Sequence, residues 1–271
     1  MTRPISFLSD FGLRDEFVGV VHGVLATLAP DSRVIDITHG VDRGNLRGGA
    51  LTLTRAVQYL PEDGIVLAVV DPGVGTSRRA LAAETGRGFF IGPDNGLLSP
   101  AVAMVGGAHR IHSIENPDAR ISSPGDTFAG RDIFAPAAAL LATGEMELAD
   151  LGPEVDPDTV SPMLLPFPEV KDGKLHGEVW WVDGFGNAQT NLDPEALIEV
   201  GCSVGDRLTV RTGATERNLL WVTTYADVEP GAPLIHVDSS GLLAIAIREG
   251  DVAHEWGLSL GRTVVTGKAD Q

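Results

Sequence analysis

An α/β domain followed by an all-β domain is the architecture that three observations predict for this 271-residue chain. Short apolar runs alternate with stretches of helical periodicity in the first half. Five prolines then crowd between Pro153 and Pro168, and beyond them come only short β-branched and aromatic runs punctuated by Gly and Asp. Strand and helix in alternation argue for a parallel or mixed sheet covered by helices. The proline cluster, at a density that no helix or central strand tolerates, reads as an extended linker over 150–170, dividing the chain into domains 1–165 and 166–271.

The elements are read in order along the chain. Ile5 to Ser9 is a mostly apolar run that stops at Asp10-Phe11-Gly12, the mark of a first buried strand. Phe17, Val20, Val21, Val24, Leu25 and Leu28 recur at spacings of three and four, an amphipathic helix closed by Pro30. Val34 to Ile37 is the next strand, and Ala50 to Leu60 the next helix, ended by Pro61. Ile65 to Val70 is too short for a helix and rich in β-branched residues, so it reads as a strand buried on both faces. In the second domain, residues 177–182, 207–211, 218–223 and 243–247 read as strands.

Composition excludes several classes of function. With 20 Lys and Arg against 37 Asp and Glu, the net charge is −17, and without a basic block such a chain is repelled by nucleic acid and by anionic lipid. The acidity fits either a salt-tolerant host or a solubilising surface. The single cysteine, Cys202, cannot form an internal disulfide, and residues 1–30 lack the pattern of a signal peptide. The expectation is a cytoplasmic globular protein with no nucleic acid or membrane partner.

Ligands of open α/β sheets settle beyond the carboxyl ends of strands, and polar residues cluster at such ends here. Asp10 and Asp15 flank a glycine turn; Asp10 suits a hydroxyl-rich ligand, whereas Asp15 either joins it or caps the following helix. Asp71 opens a glycine-containing turn whose Arg78 lies seven residues on, so the two can meet across it; Asp71 either caps the turn or acts chemically. The turn lacks the Gly-Lys-Ser/Thr ending of a phosphate loop. Gly92 to Pro100 reads as a loop, and Arg131 and Asp132 as a pair near the start of an alanine-rich helix.

Together these segments resemble one family, the S-adenosyl-L-methionine hydroxide adenosyltransferases, relatives of the fluorinase and chlorinase. The match is carried by SDFGLRD at 9–15, VDPGVGTSRR at 70–79, GPDNGLLSP at 92–100, TFAGRDIFAP at 127–136, DGFGNAQTN at 183–191 and, more weakly, DSSGLLAIAIREG at 238–250. The resemblance implies an N-terminal α/β domain with a central, mostly parallel sheet and a C-terminal barrel-like β domain. It also implies a homotrimer that holds the substrate between subunits, with adenosine and L-methionine as products and no cofactor. By motif, Asp10 would bind the ribose hydroxyls with Asp15 and Gly130 nearby, and Phe128 would pack on the ribose and sulfonium. Asp183 and Ser239 would hold the methionine end, Asn187 would read adenine, and backbone at Val252 would face it.

In the water-using branch an Asp, an Arg and a His orient and deprotonate the nucleophile. Asp71 and Arg78 match the first two, and Ala129 stands where the family carries histidine. Alanine can neither exchange a proton nor fill an imidazole's volume, so attenuated turnover is expected, with a ligand-binding protein as the alternative. A halogenase is the weakest reading. Asp71 replaces the halogenase tyrosine, and Val74 and Gly130 lack the hydroxyls that serve fluoride. His22, His39, His109, His112, His176, His236 and His254 read as structural or solvent-facing, and no catalytic metal is expected.

Overall fold

A computed structural model of the chain describes residues 2–269. The chain forms two compact units, one through Leu164 and one from Leu165. The first contains β1 (Ile5–Ser9), α1 (Phe17–Leu28), β2 (Val34–Thr38), α2 (Leu46–Val57), β3 (Gly64–Val69), β4 (Ala80–Thr85), β5 (Gly88–Pro93), α3 (Ser99–Met104), β6 (Ala108–Ser113) and α4 (Ala135–Thr143). Its six-stranded sheet has the order β2-β1-β3-β5-β4-β6, and all pairings are parallel except those of β4.

The period-two pattern of the inner strands explains the layers. Phe7 and Leu67 point into a core shared with Val21 and Leu25 of α1 and the alanines of α4. Leu8, Val66 and Ala68 point the other way, onto Leu53 and Val57 of α2 and Ala101 of α3. Small side chains let α4 pack closely, and Ala137, Ala138 and Ala139 are all fully buried. From β1 the chain passes through α1 to β2 on one side, then returns through α2 to β3 on the other. This reversal separates the two crossovers and leaves a crevice beyond the carboxyl ends of β1 and β3.

Several boundaries differ from the sequence reading: the strand read at 218–223 spans Thr215–Trp221, and the one read at 177–182 begins at Lys174. The second helix begins at Leu46 because the side chain of Asn45 accepts the Gly48 amide at 2.9 Å, a polar cap before the apolar periodicity starts. The β4–β5 hairpin has no counterpart in that reading, its turn lying in a glycine-rich segment without strand periodicity.

The second unit contains β7 (Glu169–Lys171), β8 (Lys174–Val182), β9 (Ala188–Thr190), α5 (Pro194–Glu199), β10 (Arg207–Thr212), β11 (Thr215–Trp221), β12 (Pro233–Val237), β13 (Leu243–Ile247), α6 (Val252–Trp256) and β14 (Thr263–Lys268). Strands β14, β10, β11, β12, β13, β9 and β8 pair in that order, and β14 pairs back onto β8, so the sheet closes into a barrel with β7 on its outside. Closure removes the exposed edges that an open sheet would present. Trp221, Leu219, Ile245 and Val264 fill the interior. Among the described residues no helix is long and apolar enough to cross a membrane.

Gly88 begins β5 opposite Gly64 with φ +112°, and a Cβ there would lie 2.2 Å from the Gly64 carbonyl oxygen. Gly88→Ala is expected to lower unfolding free energy by about 2–4 kcal/mol, combining backbone strain with overpacking. Gly23→Ala, on the exposed face of α1 with open space around it, should instead raise stability by about 0.5–1 kcal/mol. Urea unfolding of the two variants beside the parent checks both signs.

Candidate active site

The crevice beyond β1 and β3 gathers the first group of sequence-predicted residues. Ser9 pairs with Val69 at the strand ends, so Asp10 and Asp71 leave the sheet side by side. Asp10 Oδ2 accepts the Gly44 amide at 2.8 Å, and its other oxygen makes no hydrogen bond among the described residues. A small cavity of about 60 Å³ lies here, lined by Asp10, Phe11, Asp71, Val74, Phe128 and Ala129, among others.

Asp71 does not cap its turn. Arg78 Nε donates to its two carboxylate oxygens at 3.0 and 2.9 Å, and Nη2 makes a further contact with Oδ2. Both side chains are largely buried, at 5% and 14% exposure, and the guanidinium carbon lies 5.2 Å from the centroid of the buried Phe134 ring. A fork of donors on a carboxylate, backed by an aromatic face, is a rigid arrangement. The loop between β5 and α3, shorter than the 92–100 stretch read from the sequence because Gly92 and Pro93 end β5 and Ser99 and Pro100 begin α3, supports it: Asn95 Nδ2 donates to the Val70 carbonyl at 2.9 Å, and Arg79 Nε donates to Asp94 Oδ2 at 2.8 Å.

Phe128 and Ala129 lead into a wide helical turn, Gly130–Phe134, in which the Ala135 amide bonds the Gly130 carbonyl. Pro136 has no amide to offer the Asp132 carbonyl, which accepts from Ile121 N at 2.9 Å instead, so the wide turn satisfies the backbone where a regular one would not. Phe128 packs edge-on to Phe11 with centroids 5.7 Å apart. A Cβ at Gly130 would sit 2.9 Å from Phe11 Cζ, so this aromatic contact leaves no room for a hydroxyl-bearing side chain. Arg131 and Asp132 form a direct ion pair with a shortest contact of 2.6 Å, in keeping with their adjacency.

No histidine lines the small cavity among the described residues, and Ala129 also borders a larger cavity of about 360 Å³ with Arg120, Asp126 and Asp132. Asp15 is exposed and does not line the small cavity, and it does not cap the helix either, since Glu16 occupies that position without a side-chain bond.

The C-terminal residues gather separately around an open cavity of about 720 Å³, lined by Asp183, Phe185, Asn187, Tyr225 and Asp251, among others. Asp183 is engaged with its own turn: Oδ1 accepts the Phe185 and Asn187 amides, each at 2.9 Å, and Oδ2 accepts Asn187 Nδ2 at 2.8 Å. Gly186, at φ +83°, lets Asp251 approach to where a Cβ would stand. Ser239 is exposed and outside the cavity lining, and the Val252 side chain is fully buried in the barrel core rather than facing the cavity. Tyr225 escapes the sequence reading, since it stands in no matched motif. Burial, with the charges of Asp183 and Asp238, pushes its phenol above the ordinary value.

Residues 5–152 match the SAM hydroxide adenosyltransferase N-terminal domain, and residues 177–265 match the corresponding C-terminal domain. The chain is 45% identical over 260 residues to an (R)-S-adenosyl-L-methionine hydrolase of Salinispora tropica, covering 96% of each. A protein of that name from Thermus thermophilus is 42% identical over 272 residues, covering 97% of this chain and 98% of the relative. An uncharacterized conserved protein from Thermotoga maritima, known from a crystal structure, is similar at a TM-score of 0.92 and 35% identity, covering 97% of this chain and 100% of that one.

Truncating one partner of the buried pair leaves the other charge uncompensated. Arg78→Met is therefore expected to cost about 3 kcal/mol of stability, whereas Arg131→Met, whose side chain is 31% exposed and whose buried partner Asp132 keeps the hydrogen bond from Ser123 Oγ, should cost about half as much. Equal losses in denaturant titrations of the two variants would contradict the geometry.

Proposed function

The chain belongs to the SAM hydroxide adenosyltransferase family, and from that membership we propose that it hydrolyses S-adenosyl-L-methionine to adenosine and L-methionine. The epimer we assign as substrate is the (R) form in the names of its hydrolase relatives. Water attacks C5′ in line with sulfur. The O–C5′ bond forms as the C5′–S bond breaks, the bonding pair moves onto sulfur and cancels the sulfonium charge, and the water's surplus proton leaves by way of Asp71.

The observation that carries this reading is the desolvated Asp71–Arg78 pair beside Asp10 at the open end of two parallel strands. Arg78 fixes the carboxylate, and the carboxylate accepts a hydrogen bond from water and aims it; holding two reactants in near-attack geometry contributes several kcal/mol. The free oxygen of Asp10 accepts from a ribose hydroxyl, and Phe128 packs on the sugar and sulfonium. Asn187 reads adenine, while Asp183 and Ser239 serve the methionine end. Val74 and Gly130 offer no side-chain donor to replace the hydration of a halide.

The homotrimer belongs to the same proposal. It is supported by Leu13, Leu164, Phe167 and Phe185, large apolar side chains that are 81–90% exposed in the single chain. A cytoplasmic location is supported by the lone Cys202, whose burial pushes its thiol above the ordinary value and keeps it unreactive.

Ala129 favours a second reading, a protein that binds the substrate without turning it over. Chromatography of the protein incubated with S-adenosyl-L-methionine separates the two. Adenosine and methionine in equal amounts are expected, with Ala129→His raising kcat by about 10²-fold and Asp71→Asn lowering it by about 10²–10⁴ at little change in KM. Absence of adenosine from both the parent and Ala129→His would leave only the binding protein, and undiminished turnover in Asp71→Asn would remove that carboxylate from the mechanism.

A further inference from the structure

Behind the loop that carries Asp10, three side chains with metal-ligating atoms converge, and the hydrolytic reaction uses none of them. His22 projects from α1, Asp36 from β2, and His39 lies just past the end of β2. His22 Nε2 lies 2.8 Å from Asp36 Oδ1, His39 Nε2 lies 3.0 Å from the same oxygen, and the ligand atoms are all within 4.8 Å of one another.

His39 is the informative member. Its side chain is 3% exposed, and Nε2 faces Asp36 Oδ1 off the line of a hydrogen bond, so this buried nitrogen has no hydrogen-bond partner among the described residues. Its other nitrogen, Nδ1, lies 2.8 Å from Ser9 Oγ, and the ring rests on Phe7 with centroids 4.6 Å apart. With a cation bound, Nδ1–H would donate to Ser9 Oγ and the Nε2 lone pair would point into the cluster, the arrangement by which outer-shell contacts orient histidine ligands. Burial works to raise the Asp36 carboxyl, but contacts with His39 and His22 and their charges outweigh it and hold the group below the ordinary carboxylate range. His22 and Asp36 remain 36% and 45% exposed, which provides an entry path.

We propose that His22, Asp36 and His39 form a binding site for a divalent transition-metal cation of the zinc class. Two imidazoles and one carboxylate suit such ions, whereas magnesium and calcium demand oxygen ligands. Around a tetrahedral ion bonded at about 2.0–2.2 Å, neighbouring ligand atoms stand about 3.3 Å apart, so the two contacts to Asp36 open by a few tenths of an ångström, while the imidazole nitrogens, within 4.8 Å of each other, close by up to about 1.5 Å through rotation of the exposed His22. The remaining position opens to solvent and takes water. The ion would tie α1 to β2 and to the Asp10 loop, because the His39 carbonyl accepts the Gly12 amide at 2.8 Å and Ser9 Oγ accepts the Phe11 amide at 3.3 Å. It has no place in the hydrolytic step, and the cluster escapes sequence reading because its members come from separate elements with no motif spacing.

The full chain, freed of any histidine tag and stripped with chelator, is titrated with Zn²⁺ by calorimetry and with Co²⁺ by visible absorption. One equivalent of each per chain is expected, with a Co²⁺ spectrum characteristic of mixed nitrogen and oxygen ligation. His22→Ala and Asp36→Asn, each verified as folded by circular dichroism, should weaken binding by about 100-fold or more. Asp71→Asn should bind as the parent does, separating this site from the hydrolytic one. No stoichiometric binding by the parent, or affinity unchanged in both cluster variants, would overturn the proposal.

Discussion

Residue-for-residue pairing of β1 with β3, from Ile5 opposite Ile65 to Ser9 opposite Val69, is the constraint on which the N-terminal site rests. Both strands are buried on both faces, with Phe7 and Leu67 serving one core and Leu8 and Ala68 the other. A slip of one residue would send each side chain to the opposite layer, so the register is held by the whole hydrophobic pattern rather than by one contact. Charge cannot enter such a run, and Asp10 therefore follows directly on β1, while Asp71 follows β3 after one further buried residue, Val70. The reversal of strand order around β1 keeps the crossovers apart there and leaves the two carboxylates facing open space.

Backbone chemistry shapes the segment beyond each strand as much as side chains do. The turn after β3 brings Arg78 back onto Asp71, and Phe134, which closes the wide turn before α4, lies under the guanidinium. That turn exists because Pro136 cannot donate and the Asp132 carbonyl turns to Ile121. The alanine helix, the proline and the arginine thus act on one another, and Ala129 sits at the hinge of the arrangement, beside the pair but without a group to add to it.

Much of this arrangement is legible in the sequence alone. Ile65 to Val70 reads as a doubly buried strand because six apolar residues admit little else, and two glycines that let the chain turn between them allow Asp71 to meet Arg78. The β4–β5 hairpin is not legible, since Gly86 and Gly88 give no strand signal and only pairing with β3 and β6 makes the segment extended. Proximity to Asp10 suggests a site role for Asp15, yet the Gly12 turn sends the chain outward and leaves it exposed. The Val252 side chain enters the barrel core where α6 begins, so only its backbone, next to the cavity-lining Asp251, is left for a ligand. Tyr225 and the histidine cluster depend on elements distant in sequence meeting in space, which no local pattern records.

The acidity of the chain invites a simple view, in which carboxylates attract a substrate that carries a sulfonium and an ammonium. The geometry argues for something more selective. Asp183 uses its oxygens on its own turn, Asp71 is forked by Arg78, and only Asp10 keeps an oxygen free. Hydrolysis of a sulfonium by neutral water destroys positive charge at sulfur as the transition state forms. An unpaired carboxylate beside the sulfur would stabilise the bound substrate more than the transition state and so slow the step. In the proposed reaction Arg78 would remove that penalty, leaving Asp71 able to accept a hydrogen bond from water while cancelling most of the field that Asp71 would exert on the sulfonium. In the proposed reaction the pair is therefore one dipolar unit that both aims the water and takes up its proton, and the excess of acidic residues elsewhere contributes to the surface rather than to the chemistry.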